Sequence, residues 1–207
     1  MSNANDFVIK NGVLVKYVGV ESNIMIPNGV TEIGTKSFAQ HLNVKSVVIP
    51  NTVISIENEA FKGCRCLANV CIPSNVTTIG IGAFSDCNSL ARIIIPNGVN
   101  YINDSVFRGC SKLDSINIPN SVTGIGSFAF AGCVGLMRVD LPDSVKSLEH
   151  WTFSGCINLE LHVPSSVTNI GLYVVNKSSS AVIYAPEGSY AEKYAKKNKI
   201  PFTLEKG

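Results

Sequence analysis

Five cysteines recur at a fixed interval: Cys64, Cys87, Cys110, Cys133 and Cys156 stand 23 residues apart. An ionised thiol is a nucleophile, a redox centre or a metal ligand, so such a column is the first place to look for chemistry. Zinc sites, however, gather their cysteines in close pairs such as C-x2-C on compact loops, and a step of 23 does not. The other two of the seven cysteines, Cys66 and Cys71, lie off the column. Cys66 is expected in a loop and Cys71 on the outward side of a strand. If extended, the chain between them spans roughly 16 Å, which makes them poor co-ligands of one metal. Disulfides between neighbouring coils fall within conceivable reach but are geometrically demanding, and an odd total leaves at least one thiol unpaired within the chain. Of the histidines His41, His150 and His162, only His162 is expected on an outward strand face. No Ser-His-Asp or Cys-His arrangement can be read from spacing, and neither a P-loop nor a GxGxxG sequence occurs. The column is therefore expected to face inward, where free cysteine behaves as a small hydrophobe. No catalytic residue, metal ligand or cofactor is assigned.

The period of the cysteines belongs to the whole chain. Pro27, Pro50, Pro73, Pro96, Pro119 and Pro142 are 23 residues apart, and Pro164 and Pro186 follow at steps of 22. Phe38, Phe61, Phe84, Phe107, Phe130 and Phe153 keep the same ruler, as do Val30 to Val145 and Ile33 to Ile125. His41 holds the cysteine place in the first unit. A fixed period of this length with several apolar columns means stacked coils, because one coil cannot cover its own apolar faces. Within a unit, Leu67-Ala68-Asn69-Val70-Cys71-Ile72 alternates like a strand, and Pro73 marks its end. Asn58-Glu59-Ala60-Phe61-Lys62-Gly63 reads as one helical turn closed by glycine. The expected fold is an α/β right-handed solenoid with short parallel strands and one helical turn per coil of about 23 residues, capped at both ends.

One domain is expected over 1–207: an N-terminal β-hairpin cap at 1–20, seven repeats at 21–185, and a capping helix and tail at 186–207. Asn11-Gly12 between two β-rich runs is a hairpin signal. Ser189 can cap a short helix that places Tyr190 and Tyr194 on one face and Lys196 and Lys197 at its C-terminal end.

A net charge of +2 gives no reason to expect nucleic acid. No apolar run approaches the length of about 18 residues that suggests a membrane span, so no direct insertion is expected. Met1-Ser2-Asn3-Ala4-Asn5 lacks the apolar stretch of a signal peptide. Ser2-Asn3-Ala4 is also the kind of tripeptide that cloning leaves, so the natural N-terminus stays open.

The unit I-P-x-x-V-x-x-I-G-x-x-A-F-x-x-C-x-x-L, as in Ile72 to Leu90, resembles the BspA-like, Treponema pallidum-type leucine-rich repeats. Phe7 to Gly19 resembles the entry segment of that family, and Pro186 to Phe202 its closing segment. The departures are His41 in place of cysteine, a one-residue deletion near Leu161 and the missing secretion or anchoring signal. The resemblance implies a bacterial cell-surface or secreted protein that binds rather than catalyses, with adhesion to host or extracellular-matrix proteins as the family's better-known role.

The ligand-binding face is expected on the strands, as a concave surface. One outward column runs Ser46, Asn69, Arg92, Ser115, Arg138 and Glu160; the other runs Val48, Cys71, Ile94, Asn117, Asp140 and His162. The second column is apolar in its first half and polar in its second. An exposed apolar stripe can mark an interaction site, and arginine is enriched at interface hot spots. Val48 and Ile94 are equally good strand formers with no further role. The reading is a non-catalytic protein-interaction module. A carbohydrate-binding module is one alternative, although none of the twelve positions is aromatic; a structural spacer or intracellular scaffold is the other.

Overall fold

The computed structural model describes residues 4–205; residues 1–3 and 206–207, the outer ends of the two expected caps, lie outside the described part. Strands β1 (Phe7–Lys10) and β2 (Val13–Tyr17) form an antiparallel hairpin. Asn11 and Gly12 carry φ of 51° and 80° at its tip, as an Asn-Gly hairpin turn requires. The rest winds as a solenoid of parallel strands with about eight turns. Three-residue strands recur at Asn23–Met25, Ser46–Val48, Asn69–Cys71, Arg92–Ile94, Ser115–Asn117, Arg138–Asp140 and Glu160–His162, followed by Val182–Ala185. All pairings along this face are parallel, and its hydrogen-bonded ladder runs in three blocks. The two breaks fall after Asn69–Cys71 and after Ser115–Asn117, the strands whose central residues Val70 and Ile116 are only partly buried. A second series of two-residue strands, from Glu32–Ile33 to Asn169–Ile170, forms another parallel wall.

The proline ladder has a local cause. In each unit the proline carbonyl accepts the N–H of the valine three residues on, as in Val76 N–H to Pro73 at 3.1 Å and Val122 N–H to Pro119 at 3.0 Å. Proline thus ends the strand and begins the turn that aims valine inward; Val76 and Val122 are fully buried. The phenylalanines stack along the interior at centroid distances from 4.9 Å (Phe38–Phe61) to 5.8 Å (Phe84–Phe107), with Tyr17 of β2 adding one more ring beside Phe38 at 5.1 Å.

The segment expected to form a helical turn is a run of tight turns instead. Ala60, Lys62 and Cys64 N–H bond three residues back, to Glu57, Glu59 and Phe61. The alternate groups, Glu59, Phe61 and Gly63 N–H, bond across to Ile81, Ala83 and Ser85 of the next coil at 2.7–2.8 Å. An α-helix keeps every interior N–H for its own i−4 carbonyl; here the neighbouring coil takes every second one. Gly63 closes the run at φ 72°, and Gln40, Asp86 and Lys177 hold the equivalent position at 63°, 59° and 59°.

At the far end, α1 (Tyr190–Asn198) packs on the strands Asn169–Ile170, Val182–Ala185 and Phe202–Leu204. Ser189 accepts the Glu192 N–H at 3.2 Å, and Tyr194 is buried while Tyr190 is 44% exposed.

Candidate binding face

Parallel pairing in register, in three successive blocks, aligns the twelve candidate positions in two columns. Ser46 pairs with Asn69, Ser115 with Arg92, and Arg138 with Glu160; Val48 pairs with Cys71, Asn117 with Ile94, and Asp140 with His162. Strand alternation turns these residues outward, while Val47, Ile93, Val139 and Leu161 between them are buried. Ten of the twelve are exposed; Ser46 and His162 are half-buried.

The two halves of the face differ. Met25, Val48 and Ile94 are 67%, 52% and 73% exposed, with Cys71 exposed between the latter two. A groove of about 560 Å³ lies against Met25 and Val48. A smaller one of about 310 Å³ crosses Ser46, Val48, Asn69, Cys71 and Arg92. In the other half, the Arg138 guanidinium grips Asp140 on its own strand through two hydrogen bonds of 2.8 and 2.6 Å. That contact holds the Asp140 carboxyl below its usual range. Arg92 is freer, with Asp114 at 3.8 Å. His162 points outward yet is covered: its ring stacks on Tyr184 at 4.5 Å and its Nδ1 pairs with Glu205. No sequence pattern announces that Glu205, 43 residues away, folds back onto it.

The cysteine column faces inward. All five thiols are fully buried, and each donates to the carbonyl of a phenylalanine in the preceding coil: Cys64 to Phe38 at 3.0 Å, Cys87 to Phe61, Cys110 to Phe84, Cys133 to Phe107 and Cys156 to Phe130. The Ser178 hydroxyl makes the same bond to Phe153 at 3.2 Å, and the His41 ring meets the Tyr17 carbonyl at 3.1 Å. The position thus selects a compact group that can reach a buried carbonyl. Burial pushes the Cys64, Cys110 and Cys156 thiols up to about 12 and raises Cys87 and Cys133 well above 9.0. Such thiols stay protonated and are poor nucleophiles or ligands. Cys66 and Cys71 are exposed, as expected of a loop and an outward strand position. Among the described residues, no three His, Cys, Asp or Glu side chains are arranged to hold a metal ion.

Three features lie outside the positions expected from the sequence. Asn23 and Met25 extend the two columns by one rung, paired with Ser46 and Val48; their spacing from Pro27 carries that signal. Tyr184 extends the second column past His162. On the opposite, turn-rich edge, Phe128, Trp151 and Tyr173 form an outer aromatic stack with centroid distances of 5.0 and 5.7 Å.

Parallel strands at a fixed period, an inward leucine, phenylalanine and cysteine core, and an outward strand face define a leucine-rich-repeat solenoid. The model of the BspA type leucine rich repeat region matches residues 17–133 and 102–198 in six copies, and the chain belongs to that family. The crystal structure of the T. pallidum leucine rich repeat protein superposes with a TM-score of 0.80 at 29% identity, covering 98% of this chain and 97% of that one. A leucine-rich repeat protein from Eubacterium ventriosum gives a TM-score of 0.75 at 26% identity, covering 86% of this chain and 51% of that one. A comparison with curated proteins finds no match.

Proposed function

We propose that this chain is a non-catalytic module that binds a protein partner through its three-residue-strand face, as a cell-surface or secreted bacterial protein engaged in adhesion to host or matrix proteins. The observation that carries the reading is the contrast within each strand. Central residues are apolar and mostly buried, whereas the flanking outward positions differ in chemistry from rung to rung and line two grooves. A surface freed from the folding task is where recognition is written. Met25, Val48, Cys71 and Ile94 supply the apolar contact. Arg92 supplies an exposed cation and Arg138 one already oriented by Asp140. The hairpin β1–β2 and helix α1 serve as caps of one domain, covering apolar end faces that would otherwise pair with other chains. Leu14 and Tyr17 at one end and Ala191 and Ala195 at the other are fully buried.

The test is capture of the chain by an array of immobilised host and matrix proteins. Arg92→Ala with Arg138→Ala should weaken capture about tenfold or more, and Val48→Asp with Ile94→Asp should abolish it. Capture that survives both double variants would remove the strand face from the interaction. Absence of capture across the array would favour a spacer or scaffold.

A further inference from the structure

The turn-rich edge carries a second column whose backbone is constant and whose side chains are not. Lys36, Glu59, Gly82, Ser105, Phe128, Trp151 and Tyr173 occupy successive coils, and all adopt left-handed φ between 55° and 62°. Glycine meets that demand without strain and bulky aromatic residues meet it badly. Yet the last three coils place Phe, Trp and Tyr there in succession. Backbone strain retained in a cluster is a pointer to use. The rings stack on one another, with interplanar angles of 7° and 23°, and the Arg108 guanidinium lies 5.5 Å from the Phe128 centroid. Stacking therefore occupies ring faces along the column until Tyr173, the last member, which is 56% exposed. No eighth ring position follows, because the chain leaves the repeat for α1.

Beside Tyr173 lies a cavity of about 320 Å³, within the range of small-ligand sites. Asn176, Lys177, Asn198 and Lys199 line it together with Tyr173, and no carboxylate does. Lys177 and Lys199 make no ion pair among the described residues, and both sit at left-handed φ of 59° and 56°. Tyr194 lines it as well, with its hydroxyl accepting the Val174 N–H at 3.2 Å, and the Asn198 amide nitrogen donates to the Tyr194 carbonyl at 2.8 Å. The cavity thus offers the exposed Tyr173 ring, the Asn176 amide, the remaining amide groups of Asn198 and two lysines without an ion pair among the described residues. Its polar groups are mainly donors, so a matching ligand must bring acceptors and negative charge. It must also bring an apolar face for the Tyr173 ring.

We propose that this cavity is a binding site for a pyranose sugar bearing a carboxylate, whose C–H face packs on Tyr173 and whose carboxylate meets Lys177 and Lys199. The Asn176 amide and the Asn198 side-chain carbonyl receive its ring hydroxyls, the Asn198 nitrogen being held by the Tyr194 carbonyl. The site lies on a different surface from the strand-face columns and stands or falls independently of them.

Saturation-transfer NMR on the full chain tests it with four probes: 3′-sialyllactose and methyl β-glucuronide as the two sources of an acidic pyranose, and lactose and methyl β-glucoside as their neutral counterparts. At least one acidic probe should bind, about tenfold or more tighter than its neutral partner. Tyr173→Gly removes the ring at a position whose backbone suits glycine, so the fold is retained. It should weaken acidic-sugar binding about tenfold or more. Lys177→Asn with Lys199→Asn, also compatible with left-handed φ, should erase the preference for the acid. Arg92→Ala with Arg138→Ala should leave sugar binding unchanged. The proposal is overturned if neither acidic probe receives saturation, if neutral and acidic probes bind alike, or if Tyr173→Gly binds as the parent does. That last result would reduce the effect to plain attraction between ions.

Discussion

Phe128 and Phe130 stand two residues apart in one turn, and both stack on aromatic rings of neighbouring coils. Phe130 belongs to the inner ladder, is fully buried, and has a ring against each face, Phe107 and Phe153. Phe128 belongs to the outer left-handed column, is half-buried, and shares its column with Lys36, Glu59, Gly82 and Ser105. The inner site accepts phenylalanine in six successive coils because a missing ring would leave a void between two others. The outer site accepts almost anything that tolerates its backbone. The solenoid thus separates residues that hold coils together from residues free to meet a ligand, and the separation runs through every turn.

Alkaline titration should stress the inner side most. The Cys64, Cys110 and Cys156 thiols are raised to about 12 in the folded chain from an ordinary 9.0. Below pH 9.0 they are protonated in both states and contribute no pH dependence. As pH rises from 9.0 to about 12, the unfolded chain loses protons that the folded chain keeps, so stability falls. The loss approaches roughly 1.4 kcal/mol per thiol per pH unit. Urea midpoints at about pH 8 and about pH 11 should therefore lie closer together in a variant with these three residues changed to alanine, the remaining difference coming in part from Cys87 and Cys133, which are also raised; an equal difference in parent and variant would show the three thiols to be irrelevant.

Truncating one ring comes next. Phe107→Ala, midway along the ladder and fully buried, should cost about 3–5 kcal/mol by equilibrium unfolding. A smaller effect belongs to Cys110→Ala, which deletes the 3.2 Å thiol bond to the Phe84 carbonyl together with little volume. That carbonyl keeps the Cys87 N–H at 3.2 Å, so the expected loss is only about 1–2 kcal/mol. A loss as large as that of Phe107→Ala would mean that the cysteines, rather than the rings, hold the coils.

The same division explains how much of the molecule is legible in its sequence. The inner columns are legible because each coil repeats the same burial problem, so Pro73, Phe61 and Cys64 recur with their counterparts at one interval. The outward strand positions are legible too, since a strand's period of two is fixed by geometry. The turn segment Asn58–Gly63 is not, because its helix-like composition says nothing of Glu59 and Phe61 giving their N–H groups to the next coil. The left-handed column is hidden for a related reason. Its members Lys36, Glu59, Ser105, Phe128, Trp151 and Tyr173 are not residues that announce positive φ. The covering of His162 depends on Glu205 and Tyr184 arriving from the last strands, which no local pattern records.

The separation of inner and outer positions is tested most directly by measuring, side by side, the unfolding free energies of Phe130→Ala and Phe128→Gly. The first should lose about 3–5 kcal/mol, because a fully buried ring leaves a cavity. In the second, loss of an outer stacking contact worth about 0.5–1.5 kcal/mol is offset by relief of backbone strain at φ 58°, on the order of 1–2 kcal/mol. Its stability should stay within about 1 kcal/mol of the parent. Comparable losses in the two variants would contradict the account, for the outer column would then be part of what holds the solenoid together.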